Sequence, residues 1–230
     1  MSEHFFGIPA HLTVSSQLHL EALASSLSRV YTLQPAFRAE RSHTSRHLSE
    51  FWMFEAEIAF IEDLDVLMGV VEDSLKNLLA NIRIGPGSHQ NGDAGHLPIW
   101  LQKPHNGRWN RITYTDAIEI LNNGYRKPRE RLTWGDSLTV NDERYLAREW
   151  SSGVPVFVTN YPLTQKPFYM RTNESEEQMR TVACFDLLVP EIGELVGGSL
   201  REEREAELRA AIKRCGLDEA KYEWYLDLRR

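Results

Sequence analysis

The chain has 230 residues, 42% of them hydrophobic, enough for one large domain or two small ones around a true core, which excludes disorder throughout. A formal net charge of -7 excludes nucleic-acid binding driven by overall charge and leaves any phosphate contact to local basic patches. Cys184 and Cys215 lack the spacing of a disulfide framework or a metal cluster, no apolar run is long enough to span a membrane, and MSEHFFGIPAHL is neither a secretory signal nor an Arg-rich transit peptide, so the product reads as soluble and intracellular.

In chain order, HLTVS (11–15) predicts a short strand, and Gln17 to Val30 an amphipathic helix with Leu18, Leu20, Leu23, Ala24 and Leu27 on its inner side, capped by Ser15 or Ser16. Residues 35–60 follow, PAFRAERSHTSRHLSEFWMFEAEIAF. Phe37 and Ala39 alternate with Arg38 and Glu40, and Phe51, Met53 and Phe54 precede Glu55, Glu57 and Phe60, which predicts two antiparallel strands. The intervening RSHTSRHLS is too polar for a core and suits a functional loop.

Such a hairpin is equipped for phosphate chemistry. Arg38, Arg41 and Arg46 offer bidentate forks, His43 and His47 add donors, and Phe51 gives an aromatic face for a purine. Glu40, Glu55 and Glu57 are costly to bury unless they meet an ammonium, an amide or a metal. A solvated basic turn with carboxylates in water is the alternative reading of the same residues.

A helix is predicted from Asp63 or Asp65 to about Ile82, with Leu67, Val70, Val71, Leu75, Leu78 and Leu79 at helical spacing. Residues 84–108, including GPGSHQNGDAGH, read as a surface insertion whose histidines lack zinc-ligand company. Residues 109–123 begin as a strand and become a helix capped by Thr115, a further helix begins near Thr139, and VPVFVTNYP (154–162) fits a buried strand. KPFYMR follows, and its Lys166 suits either a phosphate or substrate carboxylate, or an exposed turn.

TVACFDLLVPEIGELVGGSLREE (181–203) carries Asp186 in an apolar strand and Glu194 at the start of another. Two carboxylates on neighbouring strands facing one cleft can hold Mg²⁺ and leave positions open for ATP phosphates; solvated strand ends are the alternative. Gly197 and Gly198 allow close approach, and Arg201 projects a rigid cation. A charged helix (202–215) and a last helix capped by Asp218 complete the chain.

The string F-R-A-E-x-S-x-T-x-R-H-L-x-E-F (37–51) resembles motif 2 of the class II aminoacyl-tRNA synthetases, in particular the asparaginyl-tRNA synthetases of the aspartyl/asparaginyl subgroup. The resemblance covers nearly the whole chain and makes KPFYMR (166–171) the family's next strand. It implies an α+β fold, a mixed, mainly antiparallel sheet flanked by helices as in the class II catalytic domain. It also implies ATP contacts from Arg38, Glu40, Arg46, His47 and Phe51, amino-acid contacts from Gln17, Glu55 and Arg201, and Mg²⁺ ligands in Asp186 and Glu194. Leu20 stands where the aspartyl enzymes carry a lysine, which favours a neutral substrate such as asparagine.

The implied activity is ATP-dependent activation of asparagine and its transfer to tRNA(Asn). The alternatives are an AMP-forming asparagine synthetase or amide ligase on the same core, or a non-catalytic pseudo-synthetase. By this reading residues 1–230 form a partial catalytic domain without motifs 1 and 3 and without an anticodon-binding domain. The family's homodimer motif is absent, no membrane is involved, and the wording of the motifs slightly favours mitochondrial over cytoplasmic enzymes.

Overall fold

Leu and Ala at helical spacing form α1 (Gln17–Leu27), which buries Leu20 and Ala24. The computed structural model describes residues 4, 6–40, 48–81, 100, 107–174 and 179–230. The helix ends before the expected Val30 because Ser28 turns left-handed at φ 68°, and Arg29 already belongs to a strand. The expected serine caps do not close it. Ser16 makes no side-chain cap bond, and the Ser15 hydroxyl accepts only a long 3.4 Å bond from the Gln17 amide. Residues 11–15 form no strand: the Thr13 carbonyl accepts the Phe37 amide at 2.9 Å, while its hydroxyl turns locally to Ser15 O.

β1 (Arg29–Phe37) and β2 (Glu50–Ile58) make the predicted antiparallel ribbon, in the register Thr32↔Glu55 and Ala36↔Phe51. β1 stops at Phe37, although the Arg38 amide still reaches Ser49 O at 3.0 Å. The last residues do not form one helix from Asp218; a short helix, Glu223–Leu226, lies between two 3₁₀ turns. There the Tyr225 hydroxyl and the Arg229 guanidinium both donate to the Glu21 carboxylate on α1, and Trp224 stacks on His19 at 5.4 Å. Residues 1–61 and 219–230 thereby form one compact unit, and residues 62–218 a second.

The second unit is built on a four-stranded sheet of β3 (Asn110–Thr113), β4 (Val156–Thr159), β5 (Cys184–Val189) and β6 (Gly193–Ser199), in that order. The first pair is parallel and the other two antiparallel, so the sheet is mixed and mainly antiparallel, as expected. β4 and β5 are buried at every position, the signature of strands covered on both faces. On one face Phe157, Phe185 and Leu187 pack with Trp109 and with Met68 of α2 (Leu64–Asn81). On the other, Val156, Val158, Cys184 and Leu188 pack with Ile118 and Leu121 of α3 (Tyr114–Gly124).

Local chemistry sets the helix starts. The Asp63 carboxylate accepts the Asp65 amide at 2.8 Å ahead of α2. α3 is closed by a reciprocal Thr113–Asp116 box rather than by Thr115, whose hydroxyl accepts the Trp134 indole instead. α4 (Val140–Tyr145) starts, as predicted, at Thr139, which forms the same box with Asp142, and it runs into a π-helical turn, Leu146–Trp150. Asp142 is fully buried and is neutralised by Arg126, with Nε to Oδ1 at 2.9 Å. KPFYMR forms no full strand: Met170 bridges Arg201, and Thr172, just beyond the segment, bridges Val182. α5 spans Glu205–Arg214, shorter than the expected 202–215, because Glu202 is buried and tied to Arg204. Residues 84–99 and 101–106 of the expected insertion lie outside the described residues. Among the described residues no helix is long and apolar enough to cross a membrane.

Candidate functional site

The predicted site residues fall in two groups, one in each compact unit. In the first, strand alternation divides the ribbon into unlike faces. One face carries Thr32, Gln34, Met53, Phe51 and Glu55, all half-buried; the other carries Tyr31, Leu33, Trp52 and Phe54, all exposed. Both oxygens of Glu55 accept the Ser16 amide, at 2.9 and 3.1 Å, so this carboxylate is fixed at the start of α1, beside Gln17. That contact takes the amide of Ser16 itself rather than a first-turn amide, so it is not the expected serine cap, but it places negative charge at the helix N-terminus. Beyond the end of β1, the exposed Arg38 lays its guanidinium 5.3 Å from the centroid of the Phe51 ring. Glu40 is exposed as well. Arg46 and His47, together with Arg41 and His43, lie outside the described residues.

In the second unit, Asp186 and Glu194 share one face of the sheet because of a β-bulge. Asp186 pairs with Gly197 and Leu187 with Val196, but Leu188 then pairs with Glu194, leaving Leu195 as the extra residue. One inserted residue reverses the alternation, so Glu194, which regular pairing would send to the opposite face, comes round to the side of Asp186. A Cβ added at Gly197 would sit 3.1 Å from Glu194 Oε1 and 3.7 Å from Asp186 Oδ1; the missing side chain is the gap the two carboxylates border. The turn before Glu194 is set by Gly193, at φ 87°, where an added Cβ would strike the Glu143 carboxylate that accepts the Glu194 amide at 3.1 Å.

Two carboxylates bordering a gap suit Mg²⁺, which is commonly held by one or two protein carboxylates with substrate phosphates supplying further oxygens. The donor set fits that mode and no richer one: among the described residues no group of three or more His, Cys, Asp or Glu could hold a metal ion.

Sequence reasoning missed the residue that holds Asp186. Lys166 is no exposed turn lysine. Its side chain is 16% exposed, and its ammonium donates to both Asp186 oxygens, at 2.8 and 2.7 Å, and lies 4.0 Å from the centroid of the Tyr161 ring. Burial works to lower the Lys166 pKa, but the charges of Asp186, Cys184 and Glu194 outweigh it and the net shift is upward. Burial, reinforced by Asp186, raises the Tyr161 phenol well above its ordinary range, and burial pushes the Cys184 thiol up to about 11, so neither is an acid or nucleophile near neutrality. Arg201 lies 4.8 Å from the centroid of the Tyr169 ring. A separate cleft of about 370 Å³, lined in part by Tyr125, Arg144 and Arg148, contains none of the predicted residues.

The family model for class II tRNA synthetases (D, K and N) matches residues 1–230. The chain belongs to that family. It is 44% identical to a human asparaginyl-tRNA synthetase over 99% of this chain and 48% of that protein. With a mitochondrial asparagine–tRNA ligase of Schizosaccharomyces pombe the identity is 46%, over 98% of this chain and 46% of the relative. Among solved structures, the Entamoeba histolytica asparaginyl-tRNA synthetase in complex with asparaginyl-adenylate superposes with a TM-score of 0.84 at 33% identity, covering 98% of this chain and 49% of that one. The fold is therefore that of a class II synthetase catalytic domain, and the chain spans about half the length of the curated relatives it matches.

Proposed function

We propose that this class II synthetase chain carries the adenylate-forming chemistry of an asparagine–tRNA ligase. The observation that carries the reading is its likeness, over 98% of its length, to a synthetase structure in complex with asparaginyl-adenylate. In the proposed reaction an asparagine carboxylate oxygen attacks the α-phosphorus of ATP in line, and the bond to the bridging oxygen breaks to release pyrophosphate. The terminal ribose hydroxyl of tRNA(Asn) then attacks the acyl carbon and AMP leaves. Such catalysis is positioning and charge neutralisation rather than acid–base work.

In this reading Arg38 binds the α-phosphate, Phe51 receives adenine, and Glu40, Arg46 and His47 complete the ATP contacts. Gln17, Glu55 and Arg201 recognise asparagine. The Ser16 amide holds Glu55 in a fixed pose, so that carboxylate is ready before substrate arrives. Asp186 and Glu194 would hold Mg²⁺, which when bound neutralises phosphate charge. The buried apolar Leu20 offers no cation for a side-chain carboxylate, which supports asparagine over aspartate. A mitochondrial setting is a further part of the proposal; mitochondrial and cytoplasmic enzymes both occur among the relatives.

The test is asparagine-dependent exchange of labelled pyrophosphate into ATP by the chain. Activity is expected with asparagine, and Arg38→Ala should lower it about 100-fold or more, the usual loss for a donor aimed at transition-state charge. AMP formation from aspartate and ammonia would instead select an AMP-forming asparagine synthetase. A folded chain that binds neither ATP nor asparagine would overturn both enzyme readings in favour of a silent paralogue.

A further inference from the structure

The ion pair between Lys166 and Asp186 stands where the metal reading needs a vacancy. Both Asp186 oxygens are taken by the ammonium, at 2.7 and 2.8 Å, and the pair is nearly closed to solvent, with 16% of the lysine side chain and 12% of the aspartate side chain exposed. A divalent ion binding the same oxygens would stand a few ångströms from a fixed positive charge, and the two cations repel strongly in a partly desolvated place. Without the lysine, however, the Asp186 carboxylate, only 12% exposed, would lose the ammonium that both of its oxygens accept, and a largely desolvated carboxylate is costly without a cation. Asp186 therefore needs a cation at all times and has room for one at a time.

From this geometry, and resting on the reading of Asp186 and Glu194 as metal carboxylates, we infer that Lys166 is the resident counter-ion of the metal position, yielding Asp186 to an incoming divalent cation. A second support for the charge is already in contact. The Tyr161 ring lies 4.0 Å from the ammonium, and an aromatic face supports a desolvated cation. A flexible four-carbon stem lets the ammonium leave Asp186 while keeping the ring, without moving the backbone. Lys166 is then a positioning residue: it keeps Asp186 charge-balanced before the metal arrives, and sets the affinity with which the site accepts it.

The role has a signature that a merely structural ion pair lacks. Removing Lys166 should strengthen binding of bare metal, whereas loss of a simple structural bond would weaken it or leave it alone. The experiment is a titration of the whole chain with Mn²⁺ followed by electron paramagnetic resonance, without nucleotide or amino acid. It compares wild type with Lys166→Met, Lys166→Arg and Asp186→Asn, each first checked for folding by circular dichroism. Lys166→Met is expected to bind Mn²⁺ about tenfold more tightly, the scale of one nearby unit charge, with Lys166→Arg close to wild type and Asp186→Asn about tenfold weaker. Lys166→Met binding no more tightly than wild type would overturn the inference.

If Lys166→Met does not fold, wild type decides by lysine-selective ¹³C NMR. Mg²⁺ should move the Lys166 ε-methylene signal, and a signal unmoved at saturating Mg²⁺ overturns the inference. Because ATP and asparagine are absent, failure here leaves the proposed ligase chemistry to its own assay.

Discussion

The ribbon of β1 and β2 and the sheet of β3 to β6 are made of similar residues put to opposite uses. In the sheet, Phe157, Phe185 and Leu187 are buried to the last per cent, clamped between α2 and the neighbouring strands. In the ribbon, Tyr31, Leu33, Trp52 and Phe54 are 59–74% exposed, while the polar and charged positions Thr32, Gln34 and Glu55 occupy the half-buried face. The difference teaches where rigidity comes from in each unit. The sheet holds Asp186 and Glu194 through a packed interior, whereas a two-stranded ribbon is marginal alone and holds Glu55 through a polar contact to α1.

Substitution at matched aromatic positions should break the two units unequally. Phe157→Ala empties a core site between Trp109 and Phe185 and is expected to cost about 3–5 kcal/mol, measured by urea denaturation. Phe54→Ala, on the open face, should stay within about 0.5 kcal/mol. Equal losses at the two positions would erase the contrast.

Gly198→Ala would push a methyl group into the Phe185 ring and should destabilise the sheet by about 1–3 kcal/mol, again read by urea denaturation. Next in size is Glu202, which is buried. Burial alone would raise its pKa, but the Arg204 guanidinium and the Thr172 and Arg204 amides bring the net value below the ordinary one. A depressed carboxylate pKa stabilises fully above its unfolded value, about 4.3, and the benefit is lost as pH falls through the folded value. Glu202→Gln should therefore cost about 1.5–3 kcal/mol at pH 7, and the gap to wild type should narrow below about pH 4. Stability curves at several pH values check this; a gap that widens in acid would contradict it.

The smallest site effect belongs to the ribbon. Glu55→Gln keeps an acceptor for the Ser16 amide but loses its charge, which should cost about 1 kcal/mol and loosen α1 locally, visible as faster hydrogen exchange at Ser16 and Gln17.

The sequence shows some of this directly. The ribbon was legible from alternating apolar and charged residues around a basic loop, the buried strand β4 from its unbroken apolar run, and the start of α4 near Thr139. Those signals lie within a few residues of one another. Three features of the site do not. Glu55 meets Ser16 across 39 positions, Lys166 meets Asp186 across 20, and the extra residue Leu195 is defined only by what stands opposite it in β5. A strand predicted at KPFYMR failed for the same reason: ladder bonds depend on a neighbour's register, and only the Met170 bridge formed there. The π-helical turn after α4 has no reading in the local pattern either.

The two faces of the ribbon also give the protein an optical division of labour. Trp52 stands 69% exposed and Trp224 42% exposed in the first unit, while Trp100 and Trp109 are buried in the second. Indoles in water emit further to the red and are reached by iodide; buried ones emit to the blue and are shielded. Trp150 of the second unit is 38% exposed as well, so in a Trp150→Phe variant a quencher titration reads mainly the first unit and the blue edge of the spectrum mainly the second, and Trp52→Phe assigns the red component. Unfolding of the β1–β2 ribbon and of the β3–β6 sheet can thus be followed separately, in one cuvette and without an added label.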